Sequence, residues 1–492
     1  MRPDEYMQFD AIGLAELVRD GEVTPDELLD VALDQVQSTD DAIAAVVDVQ
    51  ESAARATIAA GLPAGPLAGV PFLLKDLGCE AIDFPSSMGS GLYRDYRYTY
   101  DSEMFVRLRA AGLVTFGRTA SPEFGIGPTT EGKVYGRPTR NPWNTNHVAG
   151  GSSGGAGAAV AAGVVPAAHG SDGGGSVRIP ASSCGLFGFK PTRALLPDGP
   201  AVGEGWAGMA IDGFLTRSVR DNAALLDAVT GPDLGTPYYA PPLASSFLKA
   251  IESPARRLRI AVTDRSFTGE AMHADCIAAV HHTAELCESL GHEIVEAHPP
   301  IDIEHFMRAW ADIVACGTQL TVASRVVELN RPLTEADTDR VTRLACLMGA
   351  TVSGAQYLAG VDVVHAVGRI MARFLVPYDL LLSATLAEPP ALLGRFDPNR
   401  EDAWTDFADY RIRFVLPYSP FTALANGSGQ PALSLPLWWN NSGLPVGTHL
   451  MARAGDDLTL MQLAADLEQA QPWFERRPQP SPYKAANFPN GS

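Results

Sequence analysis

The chain has 492 residues, of which 46% are hydrophobic and 19% are charged. This composition excludes a disordered or collagen-like protein, and the length provides for a large buried core. The formal net charge of -20 repels phosphate backbones, so we expect no nucleic-acid partner.

No apolar run reaches the roughly 18 residues that a membrane span needs, and the first ten residues lack the pattern of a signal peptide. We therefore expect a cytoplasmic protein with no membrane association. The six cysteines match neither a zinc site nor a redox C-x-x-C pair, which predicts reduced thiols: Cys79, Cys184, Cys276, Cys287, Cys316 and Cys346.

The first clear element is a helix. Thr24 and Glu27 form a capping box around Pro25, and apolar residues follow at helical spacing. The pattern predicts a helix from about residue 25 to 37 that serves as scaffold.

From residue 68 the pattern alternates between strands and helices. Residues 69–74 and 113–116 are short apolar runs typical of buried strands, and residues 101–111 between them have helical periodicity. Residues 153–163 favour a helix over a linker. Similar units follow, with strands at 164–168, 258–262, 292–295 and 378–382 and a helix near 275–290. The alternation predicts an α/β protein with a mostly parallel or mixed central sheet.

The domain organisation is predicted to be simple. No stretch has the composition of a linker, and no internal repeat at a fixed period is present. The region from about 303 to 376 reads as a helical insertion over the sheet. We expect residues 1–492 to form one domain.

Two glycine- and serine-rich segments, residues 150–155 and 172–180, suggest chemistry. Consecutive glycines present backbone N–H groups without side chains in the way, which suits an anion or an oxyanion. A P-loop is excluded because no Gly-Lys-Ser/Thr follows. A dinucleotide site is disfavoured because the order of strand, glycines, helix and later acid is not met.

Acyl transfer needs a nucleophile, and two simple motifs fail to supply it. Residues 151–155 spell G-x-S-x-G with Ser153 at the centre, but that motif must follow a strand, and residues 142–148 read as a polar loop. Residues 246–249 spell S-x-x-K without the K-T-G that accompanies it in penicillin-binding enzymes. Both are interpreted as chance matches.

Lys75 is a better candidate for a base. It is one of only five lysines and stands at the predicted carboxyl end of the strand at 69–74, the edge of an open α/β sheet where sites collect. A lysine that merely reaches solvent from a strand end is the alternative. The serines of the two glycine-rich segments decide between these interpretations.

Together, Lys75, Ser152 and Ser176 resemble the pattern of the amidase signature family. The similarity extends over most of the chain and includes GVPFLLKD at 69–76, RSVRD at 217–221, NGSGQPA at 426–432 and GLPVG at 443–447. It implies the amidase signature fold, a large mixed central β-sheet flanked by helices on both faces, with its signature core at about 66–230.

The resemblance also implies a Ser-cisSer-Lys triad. Ser176 is then the nucleophile, Lys75 the base and Ser152 the proton relay, preceded by a cis peptide bond from Gly151. A lysine acts as a base only when neutral, so a dry site must lower its pKa. The expected oxyanion hole consists of the backbone N–H groups of Gly173, Gly174, Gly175 and Ser176.

Three further residues are expected to support this site. Asp172 and Arg178 are interpreted as supporting residues or as a structural ion pair that holds the loop. Ser153 corresponds to a serine that supports the lysine in the family, although a helix N-cap explains it equally well.

The resemblance implies a hydrolase that cleaves the C–N bond of small or oligomeric uncharged amides without a metal or cofactor. Within the family the chain is similar to the branch of 6-aminohexanoate-cyclic-dimer hydrolases and bacterial aryl-amide and carbamate hydrolases. A carbamate or ester hydrolase is the alternative, and an amidotransferase subunit or an inactive binding protein is a remoter one. The expected partner is a small-molecule amide; the pocket residues and a homodimeric state stay open.

Overall fold

The architecture rests on β-strands spread along the chain, and the computed structural model describes residues 1–478. The strands are β1 Val46–Val49, β2 Pro71–Lys75, β3 Val114–Thr119, β4 Arg140–Asn141, β5 Asn144–Val148, β6 Ala167–Asp172, β7 Phe187–Lys190, β8 Ile211–Thr216, β9 Arg259–Val262, β10 Glu293–Glu296, β11 Leu380–Ala384, β12 Ala432–Trp439 and β13 Pro445–Ala452.

Helices connect and cover these strands. They are α1 Pro3–Tyr6, α2 Ala11–Arg19, α3 Pro25–Ile43, α4 Glu51–Ala59, α5 Glu103–Ala110, α6 Gly154–Ala161, α7 Arg178–Cys184, α8 Val219–Val229, α9 Phe247–Ala250, α10 Ala274–Ser289, α11 Ile303–Leu329, α12 Arg340–Gly349, α13 Gly354–Phe374, α14 Phe407–Asp409, α15 Leu416–Tyr418, α16 Thr422–Ser428 and α17 Asp457–Ala470. Short 3-10 turns lie at Gly91–Tyr93, Glu123–Gly125 and Lys133–Tyr135, and a π-helical turn spans Tyr410–Val415.

Eleven of the strands form one mixed sheet in the order β1-β3-β2-β6-β8-β7-β12-β13-β11-β9-β10. β2 runs parallel to both β3 and β6, and β9 runs parallel to β10 and β11. The remaining neighbours in this sheet are antiparallel. β4 and β5 form a separate two-stranded sheet.

The sheet is covered on both faces, because side chains alternate between two hydrophobic cores. Along β2, Phe72 and Leu74 lie in the larger core and Leu73 lies in the smaller one. Along β8, Phe214 lies in the larger core and Leu215 lies in the smaller one. Successive residues of a strand point to opposite faces, so helices pack on each side, as predicted. The smaller core is built from α3, α6 and α7, and the larger one includes α8, α10, α11 and α17.

Most predicted elements are present with shifted bounds. The helix predicted at 25–37 continues to Ile43, because the buried apolar positions extend to that residue. Thr24 and Glu27 form the predicted capping box. The region at 303–376 contains α11, α12 and α13, of which α12 and α13 each pack against α11.

One local prediction was wrong. Residues 142–148 were expected to form a loop, but residues 144–148 form β5 and pair with β4. Val148 N also donates to Ala391 O, and Leu393 N donates to Asn146 O. Partners from a distant part of the chain therefore order a segment whose own composition does not favour a strand.

No single helix within residues 1–478 has the length and hydropathy of a membrane span. The bent pair α12 and α13, which meet at 106°, passes the same criterion jointly by length and composition only.

Candidate active site

The candidate site lies at the edge of the sheet where two parallel strands end. Lys75 is the last residue of β2, and Ser171 and Asp172 end the neighbouring β6. The carboxyl ends of parallel neighbours meet at one edge, so these side chains are brought together. The glycine run and Ser176 follow β6 directly, and Ser152 precedes α6.

Lys75 is fully buried and its amine contacts two serines. Nζ donates to Ser152 Oγ at 2.6 Å and to Ser171 Oγ at 2.9 Å. Burial lowers the pKa of Lys75 to about 7, although the negative charges of Asp212 and Asp172 act in the opposite direction. A lysine in this state is substantially neutral at pH 7 and can accept a proton.

The paired serines have different surroundings. The Gly151–Ser152 peptide bond is cis, as the resemblance implied. Ser153 stands at the N-cap position of α6, but its side chain makes no capping hydrogen bond, so the N-cap explanation was wrong. Instead, Ser153 Oγ donates to Ser171 O and accepts from Ser171 N, each at 3.3 Å. Ser153 thus fixes the serine that contacts Lys75.

Ser176 faces a cavity together with Ser152. No hydrogen bond joins the two side chains within residues 1–478, but Ser153 N donates to Ser176 O at 3.1 Å and holds the segments side by side. Ser153, the centre of the G-x-S-x-G match, is fully buried and does not line this cavity. Access therefore favours Ser176 over Ser153 as a nucleophile.

The carbonyl groups of the glycine run are tied back by other parts of the chain. Gly173 O accepts from Trp310 Nε1 at 3.0 Å, and Gly174 O accepts from Thr422 Oγ1 at 2.7 Å. Gly175 O accepts from Ile179 N at 2.7 Å. Because a peptide group points its N–H away from its C=O, fixing the carbonyls fixes the donors.

Three of the four predicted oxyanion donors make no hydrogen bond within residues 1–478. The N–H groups of Gly173, Gly174 and Ser176 have no acceptor among residues 1–478. The fourth, Gly175 N, already donates to Asp172 Oδ1 at 2.7 Å. Gly175 instead provides the turn, since its φ of +123° is a conformation that favours glycine.

Asp172 and Arg178 form a buried ion pair beneath this turn. Two hydrogen bonds of 2.8 and 3.0 Å join them, and neither side chain is exposed. Burial tends to raise the pKa of the Asp172 carboxyl, but the Arg178 charge holds it below its ordinary value. Asn426 Nδ2 donates to the Asp172 backbone oxygen at 2.8 Å and to Oδ1 at 2.9 Å. The ion pair therefore stabilises the loop. Asp172 lines the cavity beside Ser176, whereas Arg178 does not.

The cavity beside the two serines has a volume of about 720 Å³. We call it the main cavity. Its apolar wall includes Met104, Phe124, Trp206, Ile313 and Tyr357. This volume is typical of a site for a small organic molecule.

Four carboxylates other than Asp172 also line the main cavity, namely Glu80, Asp198, Glu204 and Asp212, and within residues 1–478 no lysine or arginine does. Burial raises the pKa of Asp198 to about 8, and the nearby carboxylates add to the increase. The wall is therefore apolar with an excess of acidic side chains, of which Asp198 is largely protonated at pH 7, a feature that the sequence motifs did not reveal.

Trp206, Trp310, Trp438 and Trp439 have different surroundings. Trp206 lines the main cavity, and Trp310 packs edge-to-face against it at 5.5 Å between ring centroids. Trp439 stacks on Trp143 instead, and Trp438 packs beside His282. Those two indoles belong to the far end of β12.

A lysine and two serines thus meet at the edge of this mixed sheet, beside a glycine run that is fixed by other parts of the chain. The chain belongs to the amidase family, whose model matches residues 27–461. It is therefore an amidase-family enzyme with the amidase signature fold.

The proteins to which it is similar include a hydrolase of a cyclic dimer and an aryl acylamidase. The chain is 37% identical to 6-aminohexanoate-cyclic-dimer hydrolase of Paenarthrobacter ureafaciens over 96% of each chain. The solved structure of a 6-aminohexanoate cyclic dimer hydrolase complexed with substrate matches with a TM-score of 0.88 and 34% identity, covering 96% of this chain and 99% of that one. A bacterial aryl acylamidase of the amidase signature family matches with a TM-score of 0.85 and 28% identity, covering 94% and 96%.

Proposed function

We propose that this protein hydrolyses the C–N bond of small or oligomeric uncharged amides through an acyl-enzyme on Ser176. The observation that carries the proposal is the 2.6 Å contact between Lys75 Nζ and Ser152 Oγ, on a lysine whose pKa burial lowers to about 7. The neutral amine of Lys75 can act as the base, and Ser152, which is hydrogen-bonded to it and lines the main cavity, can act as the proton relay.

The chemistry follows from these positions. Ser176 Oγ attacks the acyl carbon while its proton passes to Ser152, which gives its own proton to Lys75. The carbonyl electrons move onto the acyl oxygen, where the N–H groups of Gly173, Gly174 and Ser176 receive the charge. The C–N bond then breaks as the proton returns through Ser152 to the leaving nitrogen. Water repeats the sequence on the acyl-enzyme and releases the acid.

The substrate class is proposed from the cavity and the relatives. A volume of about 720 Å³ accommodates a short oligomer or an aryl amide, and the apolar wall contacts methylene or ring carbons. The relatives named above are a cyclic-dimer hydrolase and an aryl acylamidase. Carbamates and esters offer the same acyl carbon, so they belong in the same substrate panel.

The nucleophile assignment is tested by covalent labelling. A fluorophosphonate should add once to the wild-type protein, and peptide mapping should locate the adduct on Ser176. Ser176→Ala should take no label and should lose amide hydrolysis while keeping the wild-type melting temperature. Ser153→Ala is the matched control, and labelling at Ser153 in the wild type would overturn the proposal.

The reaction class is tested with a panel of aryl amides, aliphatic amides, cyclic amides, carbamates and esters compared by kcat/KM. We expect amides to be turned over with a C–N bond broken, measured as released amine. A protein that is labelled at Ser176 but releases amine from none of them would refute the amide assignment.

A further inference from the structure

Arg411 is a buried cation that the proposed reaction does not yet use. It lies in the π-helical turn Tyr410–Val415 and is only 6% exposed. Nη1 donates to Ile126 O at 3.3 Å, and Nε is buried without a hydrogen-bond partner. Within residues 1–478 no carboxylate forms an ion pair with it. Burial lowers the pKa of Arg411 to about 10, so it remains charged at neutral pH.

A cation in this condition is unusual in a folded protein. Buried charges are ordinarily paired, and buried N–H groups ordinarily have an acceptor. Arg411 instead rests on an aromatic face, with its guanidinium carbon 4.2 Å from the centroid of the Trp310 ring. That contact offsets part of the cost of burial but provides no acceptor for the N–H groups.

Arg411 and Ser176, the proposed nucleophile, line the same small cavity. A small cavity of about 20 Å³ is lined by Arg411, Gly174, Ser176, Trp310 and Gly151 among others. This volume suits one oxygen-sized group. The small cavity and the main cavity share Ser176, Gly125 and Trp206, so they meet at the nucleophile.

Resting on the proposed function, we propose that the small cavity receives the acyl oxygen of the substrate and that Arg411 stabilises the charge that develops there. As the bond from Ser176 Oγ to the acyl carbon forms, the carbonyl electron pair moves onto that oxygen. The backbone N–H groups and the guanidinium share the resulting charge. When the carbonyl re-forms, the charge leaves, and Arg411 neither gains nor loses a proton.

Trp310 defines the competing explanation. Its Nε1 fixes Gly173 O, so Arg411 could act only by holding the indole in place. The two roles differ in whether the charge matters. A positioning role depends on the shape of the side chain at 411, whereas stabilisation of an oxyanion depends on its positive charge.

The experiment compares Arg411→Lys, which keeps the charge, with Arg411→Gln, which removes it. Trp310→Phe is the matched control that keeps the ring and loses the bond to Gly173 O. Each variant is measured for kcat and KM on one p-nitroanilide. Each is also measured for binding of the trifluoromethyl ketone with the same acyl group, whose adduct with Ser176 carries an oxyanion, and of the corresponding alcohol, which cannot form one.

We expect Arg411→Gln to lower kcat about 100-fold with KM nearly unchanged, the effect typical of one oxyanion donor. Affinity for the ketone should fall in parallel and affinity for the alcohol should not. Arg411→Lys should keep kcat within about tenfold of wild type. Wild-type kcat in Arg411→Gln, wild-type ketone affinity in a slow variant, or equal losses in the lysine and glutamine variants would overturn the proposal.

Two measurements keep the outcome interpretable. Melting temperature and circular dichroism establish that each variant is folded; if Arg411→Gln is not, unchanged kcat and ketone affinity in Arg411→Lys and Arg411→Met together still refute the role. Fluorophosphonate labelling of wild-type Ser176 separates the two proposals. A wild type that is not labelled contradicts the proposed function, whereas a labelled, active wild type with a normal Arg411→Gln contradicts only the role of Arg411.

Discussion

The acid limb of the pH–rate profile tests whether Lys75 acts as a neutral base. With a pKa of about 7, half of the Lys75 amines are deprotonated at pH 7 and about 1% at pH 5. Activity that needs the neutral amine should therefore rise about tenfold per pH unit below pH 7 and level off above it. The measurement is kcat/KM for a p-nitroanilide between pH 5 and 9.

The variant Asp212→Asn should shift the acid limb of this pH–rate profile in a predictable direction. The Asp212 carboxylate favours the protonated form of Lys75 and so raises its pKa. Asp212→Asn removes that charge, which should lower the Lys75 pKa. The acid limb should move toward lower pH, and the ratio of kcat/KM at pH 6 to its plateau should rise several-fold.

Glu204 provides the matched control for this experiment. It lines the same cavity but is exposed and is not among the charges that shift Lys75. Glu204→Gln should therefore leave the acid limb in place. A wild-type limb near pH 10, a shift of Asp212→Asn toward alkaline pH, or equal shifts in both variants would refute the assignment of Lys75 as the titrating base.

Three further outcomes are expected. Arg178→Met leaves the Asp172 carboxylate buried and unpaired, which should lower the free energy of unfolding by about 3–5 kcal/mol in a urea titration; a loss below 1 kcal/mol contradicts this. Gly175→Ala should lose at least tenfold in kcat, because φ is +123° and the new Cβ collides with Thr422 Oγ1, whereas Gly174→Ala, with 3.5 Å to its nearest neighbour, should stay within about threefold. In an acyl p-nitroanilide series at low salt, ω-carboxylated members should have about tenfold lower kcat/KM than neutral ones, because acidic side chains that include Glu204 and Asp212 line the main cavity, and the difference should shrink with salt; faster carboxylated members would contradict it.

The parts of the site that the sequence predicted are those that local patterns encode. The apolar residues that precede Lys75 predict a buried strand, and Lys75 therefore lies at the end of that strand, at the edge of the sheet. Such a prediction needs only residues that are neighbours in the sequence. The glycine run likewise predicts a turn with exposed N–H groups. The cis peptide bond at Ser152 came only from the resemblance to a family, since no local pattern distinguishes it.

Ser171 was missed although a signal for it existed. It stands three residues beyond the strand predicted at 164–168, and the observed β6 continues past it to Asp172, so that parallel neighbouring strands bring Ser171 and Lys75 together at one edge. Predicting the contact required knowing that β2 and β6 are adjacent. Strand order is set by the packing of the whole sheet, so the sequence alone did not provide it.

The sequence also did not predict which N–H groups of the proposed oxyanion hole lack an acceptor. Four consecutive N–H groups are equivalent in the sequence, and only their partners distinguish them. Gly175 N donates to the Asp172 side chain, while Trp310 and Thr422, more than 130 positions away, fix the carbonyls of Gly173 and Gly174. The occupied amide is therefore set by a local hydrogen bond to the Asp172 side chain, while contacts from distant residues orient the loop. Contacts between distant parts of the chain also bring Arg411 to the small cavity and acidic side chains to the main cavity, and Ser176 lines both cavities.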